Sequence, residues 1–353
     1  MRKLIKIFLP KTLTLRVYNF KTKLNFAFIK VFAGNSFLSS FYYCFFSTEF
    51  RREHKAVLLG RIEYKRSLIE IKESCALLRR NIHRLEKGLI MQPRREIFAA
   101  AYIGETVECY CRGLNSKLLC MEEKKWAKDV LTHYFSIVGS NSSIDAAKLK
   151  FHKTDAKATE KSYIPYLHNE LPTISCEYPE LLQLFKRRRS VRWYTQQQVP
   201  EDLIKQAVNA ATFAPSACNR QPYQFCVINN AAKAADVAKC AMGTAGFADN
   251  LQCIVAIVGD LSAYPAERDR HVIYIDASLA SMQLMLAFET LGLSTCPINW
   301  PDVEERERMI SNKLGLSYQQ RVVMLMAVGY AQPEGGIPFS QKKQDNLLIK
   351  EIK

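Results

Sequence analysis

The sequence predicts a layered helix-and-sheet domain in its second half, α+β or α/β by pattern alone, preceded by an all-helical region. Three observations predict it. From Arg51 to Leu89, apolar residues recur at three- and four-residue steps among charges, as one buried face of a helix requires. Beyond about residue 180, short apolar runs alternate with helical stretches, the pattern of a sheet covered by helices. Between the two lies a stretch of Ser, Asn, Lys and Thr with Pro165 and Pro172, which reads as a linker or draped loop. The chain therefore divides into an arm over 1–50, a helical region over 51–139, a linker over 140–179 and a domain over 180–353.

The elements follow from local pattern. Residues 51–89 form one long helix or two in series, Arg94 to Cys111 a second helix opened by Pro93, and Glu122 to Phe135 a third. In the second half, Glu201–Phe213 is helical, Gln224–Ile228 is a strand and Ile254–Val258 is a short buried strand. Asp276–Leu291 is a long apolar helix, and Val322–Val328 is a further strand.

The first 30 residues carry eight basic side chains, Arg2, Lys3, Lys6, Lys11, Arg16, Lys21, Lys23 and Lys30, and no acid. Val31–Thr48 follows, 18 residues without a charge, close to the length of a membrane span. Gly34, Asn35 and four serines dilute it, so an arm packed on the surface is expected. Peripheral contact of this basic, aromatic segment with a membrane or another protein is the alternative.

With 353 residues, 48% of them apolar, the chain can bury a substantial core. The net charge of +16 suits a phosphate-bearing cofactor, nucleic acid or an anionic membrane. There is no aromatic platform or recognised module for nucleic acid, and no nucleic-acid partner is expected. The 11 cysteines form no CxxC pair, so no metal site is expected, and reduced thiols in a cytoplasmic protein are the natural reading. No GxGxxG or GxxxxGK[ST] turn is present, so phosphate must be held by side chains.

Two segments could do so. Lys186-Arg187-Arg188-Arg189-Ser190-Val191-Arg192-Trp193-Tyr194 follows a short helix; the planar fork of arginine and a hydroxyl fit phosphate oxygens, although a solvated helix end or a nucleic-acid patch would look the same. Ala214-Pro215-Ser216-Ala217-Cys218-Asn219-Arg220-Gln221-Pro222-Tyr223 lies between a helix and a strand. Its hydroxyl and amides can bond the edge of a planar heterocycle, and an ordinary connection is the plain alternative.

In this order and spacing the two segments resemble the nitroreductase family, which opens with an Arg-Arg-Ser-x-Arg-like run followed by a Pro-Ser-x-x-Asn-x-Gln-Pro loop. The helix running into Gly292-Leu293-Ser294-Thr295-Cys296-Pro297-Ile298-Asn299-Trp300 agrees, as does the ending Val328-Gly329-Tyr330 with Pro338-Phe339-Ser340-Gln341-Lys342-Lys343. The resemblance covers the last half of the chain. It implies an α+β fold with a mixed sheet flanked by helices, and a homodimer with FMN in pockets at the interface. It also implies a flavin reduced by NADH or NADPH that passes electrons to a small-molecule acceptor by a ping-pong route.

Carried over by position, Arg188, Arg189, Ser190, Ser340 and Lys342 would hold the phosphate and its neighbouring oxygens, and Arg192 would face the N1/O2 edge of the ring. Pro215, Ser216, Asn219 and Gln221 would bond ring and ribityl chain from the other subunit or the rim of the same pocket. A backbone N–H within Pro297, Ile298 and Asn299 would approach flavin N5, so no side chain is expected as acid, base or nucleophile. Asn299 and Trp300 stand where the family often has an acid and a glycine, and Trp300 would fill the space over the ring. Two other functions compete: an FMN dehydrogenase oxidising a biosynthetic intermediate, and a scaffold with a vestigial flavin domain. His83, Arg84 and Lys87 lie on one polar helix face that could meet an acidic ligand, with Gly88 as a helix C-cap in the plainer reading.

Overall fold

The computed structural model describes residues 11–154 and 163–352, with side chains from residue 19 onward. Of the basic cluster, Arg2, Lys3 and Lys6 and the side chains of Lys11 and Arg16 lie outside the described part, as do residues 155–162 of the expected linker. By compactness the chain divides into residues 1–54 and 55–353.

In the first unit, α1 (Lys11–Phe32) and α2 (Ser36–Phe45) form a helical hairpin. The turn between them is set by Asn35, whose side chain accepts from the Leu38 N–H at 2.9 Å and caps α2. Phe28, Phe32, Tyr42 and Phe46 pack ring against ring across the hairpin, with Phe28–Phe46 centroids 5.3 Å apart and Phe32–Tyr42 5.6 Å apart.

In the second unit the helices come first. α3 (Arg51–Ser67) and α4 (Ala76–Leu89) are the two helices in series. α5 (Ile103–Asn115) starts nine residues later than Arg94, because Ala99 takes a left-handed conformation (φ 64°) that ends any helix entering from Pro93. The intervening segment seats the Phe98 ring against Gly88 and Tyr134, and Tyr134 donates its hydroxyl to the Phe98 carbonyl at 2.7 Å. Gly88 is therefore no C-cap: it lies inside α4, and a Cβ there would meet Phe98 at 2.5 Å. α6 (Met121–Ile137) completes the expected set.

Residues 142–152 of the stretch expected as a linker form α7 (Ser142–His152), capped by Asn141 and burying Ile144, Ala147 and Phe151. Polar spacing hid that apolar stripe. Leu77, Leu78, Ile82, Leu85, Val107, Leu131, Tyr134 and Phe151 belong to one continuous core of these helices.

After α8 (Tyr178–Arg187) and α9 (Glu201–Ala211) come β1 (Tyr223–Ile228), α10 (Ala231–Ala238), β2 (Cys253–Asp260), α11 (Val272–Thr290), β3 (Ser294–Asn299), α12 (Glu304–Leu314) and β4 (Gln320–Gly329). The strands form one sheet in the order β1-β2-β4-β3, antiparallel at each pairing. The parallel component of the expected mixed sheet is the bridge between Ser190 and Thr295.

β2 is buried on both faces, which is why it reads as an unbroken apolar run. Cys253, Val255 and Ile257 face α9 and α11, packing with Ala207, Ala277, Leu284 and Phe288. Ile254, Ala256 and Val258 face the other layer with Val237, Trp300 and Ile310. α11 is the one described helical stretch apolar and long enough to cross a membrane by composition; here Ile273, Ala280, Leu284 and Phe288 are buried as core. α3 closes on the end of β2, where Gly60 approaches so tightly that a Cβ would meet the Leu261 Cβ at 2.7 Å.

Candidate functional site

The arginine run begins where α8 ends. Arg188 leaves the helix (ψ 115°) while its N–H still bonds the Leu184 carbonyl at 3.0 Å. The chain then lies along β3: Ser190 bridges Thr295, and the Val191 N–H donates to the Thr295 carbonyl at 3.0 Å. This brings Arg188, Arg189, Ser190 and Arg192 beside the strand that carries Pro297, buried Ile298 and, at its exposed end, Asn299.

Two buried polar atoms in this cradle lack a partner, Arg188 Nε and Thr295 Oγ1. Arg189 and Arg192 donate only to the carbonyls of Arg188 and Ser190, each at 3.3 Å. Among the described residues no carboxylate pairs with Arg188, Arg189 or Arg192. Burial pushes the Cys296 thiol up, opposed by Arg192, Arg188 and a hydrogen bond with Ser190, so this thiol is a packing group rather than a nucleophile. Unpaired guanidiniums and an orphaned hydroxyl fit a phosphate-bearing group.

The loop after α9 is built differently. Cys218, Asn219 and Gln221 take left-handed conformations (φ 54°, 50° and 49°), costly for residues with side chains. The turn is held from both sides. Asp276, a carboxylate near the start of the apolar α11, accepts the Ala217 N–H at 2.9 Å and the Tyr264 hydroxyl at 3.4 Å. Burial raises the pKa of Asp276, and these two bonds with the nearby Arg220 oppose the rise. From α4, Arg79 donates to the Asn219 carbonyl at 2.8 Å and to Gln221 Oε1 at 3.1 Å, and pairs with Glu123 at 3.2 Å.

Gln221 Nε2 donates to the Thr212 carbonyl and its N–H to Ser216 Oγ. Its amide is thereby engaged at both ends, a positioning arrangement, whereas Ser216 keeps its hydroxyl proton and Asn219 its side-chain amide. Pro215 is exposed at the loop's start.

Among the described residues no hydrogen bond or ion pair joins the two sets of site residues within one chain. Arg188 to Arg192 lie with Pro297 to Asn299, and Pro215 to Gln221 form a second group against α4 and α11. Ser340 (φ 50°) and Lys342 sit on an exposed tail with no described contact to either. Trp300 does not stand over the cradle: it is 8% exposed, packs in the core and donates its indole N–H to Glu307 Oε1 at 2.8 Å. His83 and Arg84 are also engaged, with Glu86 at 3.2 Å and over the Tyr102 ring at 3.8 Å.

Sequence reasoning missed Arg79, Glu123 and Asp276. Asp276 had a signal, an acid set among the apolar residues of a buried helix, well away from the helix's other acid, Glu289. Arg79 had none, being 140 residues from the carbonyl it holds.

Fold and site define an α+β protein with a cationic cradle along one strand and a buttressed polar loop. The sequence profile of the Nitroreductase family matches residues 185–249 and 241–330, and the C-terminal half of the chain is a nitroreductase-family oxidoreductase domain. The NADH dehydrogenase of Thermus thermophilus is 29% identical over 181 residues, 42% of this chain and 85% of its own length. Iodotyrosine deiodinase 1 of Homo sapiens is 24% identical over 241 residues, 58% of this chain and 82% of its own. Among solved structures, an FMN-dependent nitroreductase from Clostridium difficile R20291 aligns with TM-score 0.39 and 23% identity, over 45% of this chain and 92% of its own.

Proposed function

We propose that the domain is an FMN-dependent oxidoreductase in which NADH or NADPH reduces the flavin and a small-molecule acceptor reoxidises it at the same site. The observation that carries this reading is the buried, unpartnered pair Arg188 Nε and Thr295 Oγ1 beside Ser190. Buried polar groups are rarely left unpaired, and phosphate oxygens would satisfy both. When bound, FMN supplies hydride and electron transfer.

The residues of the chain bind and orient. Arg188, Arg189 and Ser190, joined by Ser340 and Lys342 of the tail, hold the phosphate end. Arg192 supplies a positive charge where the reduced ring gathers negative charge, and Pro297 to Asn299 bring backbone to the ring. Pro215, Ser216 and Asn219 line the ring and ribityl chain from a second copy, with Gln221 holding the loop's shape.

The homodimer rests on two supports. One chain leaves the two groups of site residues unconnected, and α11 exposes an apolar stripe at helical spacing, Ile275, Leu279 and Met282, the kind of surface that a partner covers. We place the protein in the cytoplasm because its cysteines are free thiols, including Cys75 and Cys109 with sulfurs 3.4 Å apart.

The test is the visible spectrum of the purified protein, before and after anaerobic addition of NADH or NADPH. Flavin bands that bleach establish cofactor and reductant; a colourless protein that cannot be loaded with FMN overturns the reading.

A further inference from the structure

We propose that the pocket between α4, the 217–220 turn and the start of α11 binds a small molecule bearing an oxyanion, a carboxylate or a phosphate ester. Its lining brings four guanidinium groups together: Arg80 and Arg84 from α4, Arg220 from the turn and Arg268 from the segment before α11. The cavity measures about 430 Å³, room for a small organic ligand rather than a bare ion.

The cations are not neutralised from within. Among the described residues no carboxylate pairs with Arg80, Arg84 or Arg220, and Arg268 has only Asp269, at 3.8 Å. Arg220 Nε is buried without a partner. Arg84 lies over the Tyr102 ring at 3.8 Å and Arg220 over Tyr264 at 4.7 Å. Aromatic faces hold such groups in place while leaving their charge and their N–H donors available.

The start of α11 adds to the field. Its first turn carries no acid, and His271 caps it through its carbonyl, which accepts from Tyr274 and Ile275, with no side-chain bond, so the positive helix end opens beside Val272, which lines the pocket. Against these stand Asp269 in the lining and Asp276 behind it, the latter already accepting from Ala217 and Tyr264. Four like charges gathered around a cavity repel one another, and an oxyanion removes that repulsion while accepting bidentate bonds. Half of these arginines come from the helical region, which gives it a share in binding. Flavin is not needed for the inference.

The test is calorimetric titration of the full-length protein, as purified, with inorganic phosphate and, separately, with citrate. Saturable binding of at least one anion is expected, the tighter of the two naming the class, with affinity falling as salt is raised. Arg80→Gln and Arg268→Gln should each weaken it about tenfold or more, with flavin content unchanged. The Arg268 side chain is 85% exposed, so that variant keeps the test sound if Arg80→Gln folds poorly. Absence of saturation with both anions, or undiminished affinity in a folded Arg268→Gln, overturns the proposal. So does loss of bound FMN in these variants, which would assign the arginines to the flavin phosphate instead.

Discussion

Arg79 Nε donates to the Asn219 carbonyl at 2.8 Å, tying a helix of the N-terminal region to the loop of the nitroreductase-family domain. The same guanidinium reaches Gln221 Oε1 and the buried carboxylate of Glu123. One side chain therefore fixes the loop and offsets a buried charge.

Replacing Arg79 by Met should lower stability by about 3 kcal/mol, since it leaves a buried carboxylate without its cation. It should also weaken FMN retention about tenfold by loosening the loop. Urea unfolding and flavin release on dilution check the two effects separately. Unchanged flavin release in a destabilised protein would mean that the loop holds its shape without the arginine.

Thr295→Val separates a structural hydroxyl from a ligand-binding one. Its Oγ1 is buried and unpaired, so the flavin-free protein should gain about 1 kcal/mol when the hydroxyl is removed. The loaded protein should lose affinity, as should Arg188→Ala, by about tenfold or more. Melting curves with and without FMN measure the crossover, and an equal shift in both forms would sink the assignment of Thr295 to the cradle.

Gly88→Ala opposes two effects of known sign. Alanine favours a helix over glycine by roughly 1 kcal/mol, but its Cβ would stand 2.5 Å from the Phe98 ring, and overpacking costs about 1–3 kcal/mol. The clash should win, giving a lower midpoint in urea. The double variant with Phe98→Leu should recover part of it.

At alkaline pH, Cys253 should contribute a loss of stability. Burial lifts its thiol from 9.0 to about 12, so its share of stability is fully present below pH 9 and disappears as pH rises through 12. Cys253→Ala should cost stability at neutral pH through the cavity that it leaves, yet show a shallower decline between pH 9 and 11. Parallel curves for parent and variant would contradict this.

The elements that were legible in the sequence are those whose own residues carry a clear pattern. α4, α9 and β2 announce themselves by period or by an unbroken apolar run. α7 did not, because only Ile144, Ala147 and Phe151 mark its buried face. The helix expected from Arg94 failed because Phe98 needs a place against Gly88 and Tyr134, a contact no local window contains. The same holds for the site: the arginine run and the loop were visible as motifs, whereas the absence, among the described residues, of a bond between them within one chain was not. Trp300 shows the converse, since nothing local says that its indole N–H turns inward to Glu307.

Cys218, Asn219 and Gln221 occupy backbone conformations that glycine adopts freely and that cost a residue with a side chain about 1–3 kcal/mol. Heat tolerance and positional accuracy therefore pull in opposite directions on the same short turn. Selection for robustness alone would replace these residues with glycine and blur the loop, so a thermostabilised descendant of this protein should reveal, by what it leaves untouched between Ser216 and Gln221, how much accuracy its chemistry demands.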